Sequence, residues 1–367
     1  MKVDSTNIRT FHPAKVFSES QADVLCVEFH SAGKIMVASS KDDTMTLYNC
    51  ETGTKLRNVN SKKYGVGLCR FDQDEGAILH ASTKVDNTIR YLSLSDNKYV
   101  RYFLGHTKDV ISLRVSPTSN IFASSSKDKT ARIWDLRLNN CQGLVHFTNE
   151  SIVSFDPEGL IFGAACAEEE SIKLFDIRSF DKGPFAELEV KNPVKGSNWH
   201  EIIFSNDGAV IMLLSDSDYA LVLGSLDTGP VQVLTGIENL EKKNIGGTLT
   251  PGGKFAIVGS AGKNLSLFEV DKQILSGKGS GTASSFESYA FETISTPNHK
   301  KSITNVVFNP KYMMFAAASQ NVLKMNSGFP RYTNNGHGDI FKLFLNLIST
   351  YLWICCYINN LILWIQK

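Results

Sequence analysis

The chain has 367 residues, 42% of them hydrophobic, and its 38 basic residues nearly balance 37 acidic ones. This length allows a large core, and the near-neutral charge excludes a general attraction to nucleic acid or anionic lipid, so we expect no direct DNA binding. The first residues, MKVDSTNIRTFHPAKVF, contain no apolar segment of signal-peptide length, and we expect an intracellular protein with buried, reduced cysteines.

One pattern returns along the whole chain: three alternating apolar runs separated by turns such as SAGK, DPEG and TPGG. Period-two alternation predicts strands, and Gly, Asn or Pro at the corners predicts tight turns. The spacing of about forty residues is typical of a four-stranded propeller blade. Copies begin at seven positions: Val24, Val66, Val110, Ile152, Glu201, Asn244 and Ser302.

Seven copies predict an all-β fold, a single seven-bladed WD40 β-propeller. We place the ring-closing strand in residues 1–18, at TFHPAKVF (10–17), where it would cover an open sheet edge. The propeller itself is expected over 19–325. Residues 276–300 are rich in Gly and Ser and are predicted to form a flexible loop.

The third copy, residues 105–137, carries the full pattern GH…WD. Its His106, Ser124, Asp128 and Trp134 have the types and spacing of the side chains that tie the strands of a WD blade together. Because buried polar groups must find partners, we interpret these four residues as a structural tetrad and not as a catalytic set.

Several stretches are more particular than the repeat requires: SKKYGV (61–66), DNTIRYLSLSDNKYVRYFLGH (86–106), KDKTARIWDLR (127–137), NCQGL (140–144), FDPEGLIF (155–162) and LFDIRSFDKGPF (174–185). Through them the chain closely resembles the WD-repeat protein 82 family, from about residue 10 to about residue 323. The resemblance is closer in the first four copies than in the fifth and sixth.

This resemblance implies a non-catalytic adaptor in the nucleus. Family members are subunits of COMPASS-type histone H3 lysine-4 methyltransferase complexes, which makes SET-domain methyltransferase subunits the expected partners. It also implies a link to the phosphorylated C-terminal domain of RNA polymerase II, membership of protein phosphatase and transcription-termination complexes, and indirect contact with chromatin.

The residues themselves predict no active site. The eight histidines are scattered along the chain without HxH or HExxH spacing, and no GxSxG motif occurs. GKGSG at 277–281 lacks the strand and helix of a phosphate loop. We therefore expect no catalytic residue, metal ligand or cofactor.

Binding by loops at the rim of the propeller remains as the expected activity. Basic side chains beside aromatic ones could hold a phosphoserine and an adjoining Tyr or Pro. The candidates are Lys62, Lys63, Tyr64, Arg101, Lys182, Phe180 and Phe185, with Lys108, Tyr99 and Tyr102 nearby. Of these, Lys62, Lys63, Arg101 and Lys182 are expected to form the phosphate-binding cluster. The alternative interpretation is ordinary solvated charges, with both phenylalanine rings packed under their loop.

The blade pattern breaks after Leu323, and residues 326–367 form an atypical hydrophobic tail. Residues 343–366 contain no charged side chain and are long enough to span a bilayer, so a membrane-tethered propeller is the alternative hypothesis. Four amide side chains, Asn346, Asn359, Asn360 and Gln366, argue against an anchor because each is costly in hydrocarbon. We favour a variant carboxy terminus, such as translated intron sequence.

Overall fold

A computed structural model describes residues 3–18, 22–226, 229–262, 264–276, 285–295, 302–319 and 322–327. Within these ranges the chain forms seven sheets. Of the atypical tail expected over 326–367, Asn326 and Ser327 belong to the last described strand, whereas residues 328–367, with the whole stretch 343–366 considered as a membrane span, lie outside the described residues. In the described part, no helix is long and apolar enough to cross a membrane.

The first three blades each consist of four consecutive strands. Blade one contains β2 (Val24–Phe29), β3 (Ile35–Ser40), β4 (Thr44–Asn49) and β5 (Thr54–Asn60). Blade two contains β6 (Cys69–Phe71), β7 (Ala77–Ala81), β8 (Ile89–Ser93) and β9 (Tyr99–Phe103). Blade three contains β10 (Val110–Val115), β11 (Ile121–Ser126), β12 (Thr130–Asp135) and β13 (Cys141–His146).

Blades four to six complete most of the ring. Blade four contains β14 (Ser151–Phe155), β15 (Ile161–Cys166), β16 (Ser171–Asp176) and β17 (Ala186–Glu189). Blade five contains β18 (Trp199–Phe204), β19 (Val210–Ser215), β20 (Ala220–Gly224), β21 (Val231–Thr235) and β25 (Ser285–Tyr289). Blade six contains β22 (Gly247–Leu249), β23 (Phe255–Gly259), β24 (Asn264–Glu269) and β26 (Glu292–Ser295). A short helix, α1 (Lys272–Leu275), follows β24.

Blade seven joins the two ends of the propeller. It contains β27 (Asn305–Phe308), β28 (Met314–Ser319) and β29 (Val322–Ser327), and β1 (His12–Phe17) pairs antiparallel with β29 as the outer strand. Phe17 packs on Tyr48 of blade one, with ring centroids 4.5 Å apart. The amino-terminal strand therefore covers the edge that the sequence predicts it to cover.

The innermost strands contact one another around the ring in the order β2, β6, β10, β14, β18, β22 and β27, and β27 contacts β2. Buried apolar side chains fill the spaces between neighbouring blades; for example, Leu79 and Phe103 of blade two pack with Trp134 of blade three. The predicted seven-bladed propeller is confirmed.

The two faces of the ring are distinguished by their connections. Because the strands of a blade are antiparallel, the turn from its second to its third strand and the loop to the next blade emerge at one end of the sheet, here called the upper face. The turns from first to second and from third to fourth strand emerge at the opposite end, the lower face. Each candidate residue can therefore be assigned to a face from its place in the repeat.

The segment expected to be a flexible loop differs from that expectation where it is described. Residues 285–295 contain β25, which pairs in parallel with β21 of blade five, and β26, which pairs with β24 as the outer strand of blade six. Because α1 follows the third strand of blade six, the outer strand of that blade comes from a segment further along the chain. Residues 277–284 and 296–301 lie outside the described residues.

Candidate functional site

The four predicted tetrad residues of blade three form a continuous chain of hydrogen bonds. Trp134 Nε1 donates to Ser124 Oγ at 2.8 Å, and His106 lies 2.8 Å from Ser124 Oγ through Nε2 and 2.9 Å from Asp128 Oδ2 through Nδ1. With Nδ1 protonated, His106 donates to the carboxylate and accepts the Ser124 hydroxyl. Each member has a partner inside the blade, and Ser124 and Trp134 are completely buried, so the set holds the strands of the blade together.

The ionisation of the tetrad suits this structural role. Burial lowers the pKa of His106, although Asp128 opposes the shift. Burial would raise the pKa of Asp128, but hydrogen bonds from Thr130, His106 and the Thr107 backbone outweigh it and lower the pKa to about 2. A neutral imidazole beside a carboxylate is the arrangement that the hydrogen bonds require.

Blade two replaces this tetrad with a different cluster. In the register of the second and third strands, His80 of blade two, opposite Arg90, corresponds to Ser124 of blade three, opposite Arg132. Leu92, opposite Ile78, likewise corresponds to Trp134, opposite Phe122. The buried Arg90 forms two hydrogen bonds of 2.8 Å with the carboxylate of Asp86. These bonds lower the pKa of Asp86. His80 and Leu92 thus occupy the positions of Ser124 and Trp134, and the Arg90–Asp86 pair occupies the positions of Arg132 and Asp128.

Three tyrosines surround this arginine. The guanidinium of Arg90 lies 3.8 Å from the centroid of Tyr64 and 5.6 Å from that of Tyr102. Tyr99 lies between them, with centroids 5.3 Å from Tyr64 and 6.0 Å from Tyr102, and its hydroxyl is 2.7 Å from Ser61 Oγ. The predicted residue Tyr64 therefore belongs to a rigid aromatic group at the outer side of blade two.

The basic candidates do not lie in one place. Lys62 and Lys63 are exposed in the loop between β5 and β6, on the upper face, and Lys108 is exposed on the same face between β9 and β10. Arg101 is half-buried on β9 and donates to Asn139 Oδ1 at 3.2 Å. Lys182 lies between β16 and β17, on the lower face.

The expectation that Lys62, Lys63, Arg101 and Lys182 form a single phosphate-binding cluster is therefore corrected. A connection from third to fourth strand and a connection between blades emerge at opposite ends of the sheets, so Lys182 cannot lie beside Lys62. Lys62 and Lys63 remain together with Tyr64, at the rim of blade two.

The two phenylalanines of the blade-four loop differ from each other. Phe180 packs on Phe175 and Phe162 at centroid distances of 5.1 and 6.1 Å, whereas Phe185 is 54% exposed. The ring of Phe180 also covers Gly143 of blade three, where a Cβ atom would lie 2.4 Å from it. The stretches NCQGL (140–144) and LFDIRSFDKGPF (174–185), which are more particular than the repeat requires, are thus in contact. Phe180 packs beneath its own loop, as the alternative interpretation expected for both rings.

The central channel contains a buried ionic cluster at a cavity of about 350 Å³. Arg70 of blade two contacts Glu28 Oε2 and Cys26 Sγ of blade one, both at 2.8 Å, and donates to the Leu113 carbonyl of blade three at 2.8 Å. Burial raises the pKa of Glu28 to about 8, while Cys69 and Arg70 lower the pKa of Cys26. Arg70 therefore ties three innermost strands together.

Other chemistry has little support in the described part of the chain. No three His, Cys, Asp or Glu side chains there are grouped as metal ligands. The described cysteines, at positions 26, 50, 69, 141 and 166, are free thiols, of which Cys141 alone is half-buried and the others buried.

Comparisons with known proteins agree with this architecture. The model of the WD domain, G-beta repeat, matches residues 11–49 and 97–135, so the chain is a WD-repeat β-propeller. WD repeat-containing protein 82 of Drosophila melanogaster is 41% identical over 326 residues, which cover 88% of this chain and 96% of the relative. The chain belongs to the WD repeat-containing protein 82 family.

Two further relatives carry the names of complex subunits. Set1 complex component swd2 of Schizosaccharomyces pombe is 39% identical over 55% of this chain and 56% of its own length. COMPASS component SWD2 of Saccharomyces cerevisiae is 27% identical over 88% of this chain and 97% of its own length. Both are similar to this chain in sequence.

Proposed function

We propose that this protein is a non-catalytic adaptor subunit of a nuclear COMPASS-type histone H3 lysine-4 methyltransferase complex. The observation that carries the proposal is similarity over nearly the whole propeller to a family whose relatives are named as Set1 complex and COMPASS components. A propeller presents loops on both faces of its ring, and surface loops are the part of a rigid scaffold that most often carries binding.

The arrangement of polar groups supports a scaffold rather than an enzyme. The tetrad of blade three, the Arg90–Asp86 pair of blade two and Arg70 in the channel all use their hydrogen bonds to hold strands together. A catalytic group needs a free acceptor or donor facing a substrate. The proposed partners are therefore proteins, namely the SET-domain methyltransferase and the other subunits of its complex.

We further propose that the adaptor links this complex to the phosphorylated C-terminal domain of RNA polymerase II, and that it also serves phosphatase and transcription-termination complexes. Chromatin would be reached through these partners. The near-balance of charge over the chain supports this indirect route, since a net charge near zero gives the chain no general attraction to DNA.

Affinity purification tests the first part of the proposal. The tagged full chain is expressed in cells and recovered from nuclear extract, and a tagged WD propeller of another family serves as control. We expect a SET-domain methyltransferase or a phosphatase scaffold to be enriched with this chain and not with the control. Recovery of neither from the nuclear fraction would overturn the adaptor role.

A further inference from the structure

Two cysteines lie next to each other beside the ionic cluster of the channel, one in each of two neighbouring blades. Cys26 is on β2 of blade one and Cys69 is on β6 of blade two, and these two innermost strands are in contact. Cys26 Sγ lies 3.5 Å from the carbonyl oxygen of Cys69, although 43 positions separate the two residues in sequence. Both residues are buried. The packing of the two blades therefore holds them together.

A guanidinium group places a positive charge against one of these thiols. Arg70 Nη1 lies 2.8 Å from Cys26 Sγ and 2.9 Å from the carbonyl oxygen of Cys69. The Arg70 side chain is fixed in this position because its Nε donates to the Leu113 carbonyl at 2.8 Å. A cation at this distance stabilises a thiolate more than a thiol, and the thiolate is the form of cysteine that reacts with oxidants.

The two cysteines differ in how easily they ionise. The Cys69 side chain and Arg70 lower the pKa of Cys26 against the effect of burial, whereas Cys26 and burial raise the pKa of Cys69 well above its usual range. Glu28 also contacts Arg70, but burial raises the pKa of Glu28 to about 8, so at neutral pH its carboxyl group is mostly protonated. The pair therefore combines one thiol that ionises easily with one that keeps its proton.

A cavity connects this cluster to the lower face. The channel cavity of about 350 Å³ is lined by Glu28 and Arg70 and by turns from first to second strand, which contribute Ser31 and Gln73. Because Cys26 contacts Arg70 directly, its thiol lies one side chain away from the cavity. A water molecule occupies about 30 Å³ in the liquid, so an oxidant of the size of hydrogen peroxide fits into this space.

We propose that Cys26 and Cys69 form an oxidation-sensitive pair, which a peroxide converts into a disulfide between blades one and two. The Cys26 thiolate attacks one oxygen of hydrogen peroxide and the O–O bond breaks; the displaced hydroxide takes up a proton and leaves as water. The Cys69 sulfur then attacks the resulting sulfenic acid, the S–O bond breaks, and a second water leaves with the Cys69 proton. Two electrons pass from the two sulfurs to the peroxide.

This disulfide would change the channel as well as the contact between the two blades. In a reducing compartment a disulfide is transient, so its formation reports oxidation instead of supporting the fold. A sulfur in a disulfide carries no negative charge, and Arg70 therefore loses an anionic partner when Cys26 is oxidised. Because Arg70 lines the cavity, oxidation leaves the lower part of the channel with a less compensated positive charge.

The experiment treats the purified, reduced full chain with hydrogen peroxide, blocks the remaining thiols with N-ethylmaleimide and identifies cross-linked peptides by mass spectrometry without reduction. We expect a Cys26–Cys69 cross-link that dithiothreitol reverses. Cys166 is the matched control, because it is also buried but belongs to an apolar cluster. Cys26 should be consumed at least about tenfold faster than Cys166, since each unit by which a pKa falls raises the thiolate fraction about tenfold.

Cys69→Ser separates the two steps of the reaction. Without the second thiol, oxidation of Cys26 should stop at the sulfenic acid, which a dimedone probe labels, and the cross-link should disappear. Cys26→Ser should abolish both the cross-link and the label at this site. Both substitutions keep the size of the side chain close to that of cysteine, and circular dichroism verifies that each variant is folded.

Three results would overturn the proposal. Equal rates of consumption of Cys26 and Cys166 would mean that Arg70 does not activate the Cys26 thiol. Cross-linking of Cys26 to other cysteines in place of Cys69, or oxidation of Cys26 without any cross-link, would mean that the two sulfurs do not meet. A Cys26–Cys69 cross-link that forms only in urea-unfolded protein would mean that the packing of blades one and two does not bring the thiols together.

Discussion

Removal of the Ser124 hydroxyl should be among the most damaging small substitutions in the propeller. Ser124 Oγ accepts from Trp134 Nε1 and donates to His106 Nε2, each at 2.8 Å, and the serine is fully buried. Ser124→Ala leaves the indole N–H and the imidazole nitrogen without partners, while the change in volume is small. The cost therefore comes from unpaired polar groups and not from a cavity.

A buried donor or acceptor left unpaired costs about 1–3 kcal/mol, so the two groups together should lower the free energy of unfolding by about 2–6 kcal/mol. Ser95→Ala is the matched control, because Ser95 is exposed and its hydrogen bond to Ser93 Oγ lies in solvent. The control should change stability by less than about 0.5 kcal/mol.

Urea unfolding followed by circular dichroism measures both variants against the wild type. A double-mutant cycle with Trp134→Phe adds a second readout, since the two substitutions share one hydrogen bond and should not be additive. The reasoning is refuted if Ser124→Ala is as stable as Ser95→Ala, or if the cycle shows no coupling.

Two further predictions concern the same half of the ring. Gly143→Ala should lower the free energy of unfolding by about 1–3 kcal/mol, because the added methyl group displaces the Phe180 ring. The Gly143→Ala/Phe180→Ala double variant should lose less free energy of unfolding than the sum of the two single variants. Strict additivity would contradict the contact. Stability should fall as pH drops below about 6.5, since the lowered pKa of His106 lets the unfolded chain bind the proton first, and fall again between about pH 4 and 2 as Asp128 is protonated. Unfolding midpoints measured from pH 8 to 2 follow both losses. The loss between pH 7 and 5 should be smaller in His106→Asn than in the wild type, and an equal loss in both proteins would contradict the role of His106.

The number of blades and the tetrad follow from the sequence because both depend on local signals. Alternation, turn residues and a constant period identify strands within about forty residues, and hydrogen-bonded groups at fixed spacing identify the tetrad. The strands β25 and β26 were harder to foresee, since β26 pairs with β24 across α1 and the Gly/Ser-rich stretch. The alternating segment SFESYAFETIS carried a signal for them.

The sequence predicts which candidate residues share a loop, but it does not show directly which loops and strands the fold brings together. Lys62, Lys63 and Tyr64 share one loop, so sequence proximity was enough to group them. Arg90 was missed, although DNTIR at 86–90 parallels DKTAR at 128–132 and places an arginine four residues after the aspartate in both blades. Lys182 was grouped with them by its expected exposure and the sign of its charge. Its place in the repeat, between the third and fourth strands of blade four, already assigns Lys182 to the lower face, opposite Lys62 and Lys63.

The seam between the first and last blades should be the most sensitive point of the ring, and Phe17 tests this. Its side chain is 7% exposed, packs on Tyr48 of blade one and belongs to the same buried cluster as Leu323 of blade seven. Phe17→Ala should cost about 3–5 kcal/mol, whereas Lys15→Ala, an exposed position on the same strand, should cost little.

The loss in Phe17→Ala should also be local. Without this ring, β1 can separate from β29 while the other blades stay packed, so amide exchange should accelerate in β29 much more than in β11 of blade three. Native-state hydrogen exchange on wild type, Phe17→Ala and Lys15→Ala measures both strands at once. Equal acceleration in β29 and β11 would mean that the ring unfolds as one unit and that β1 is not the element that closes it.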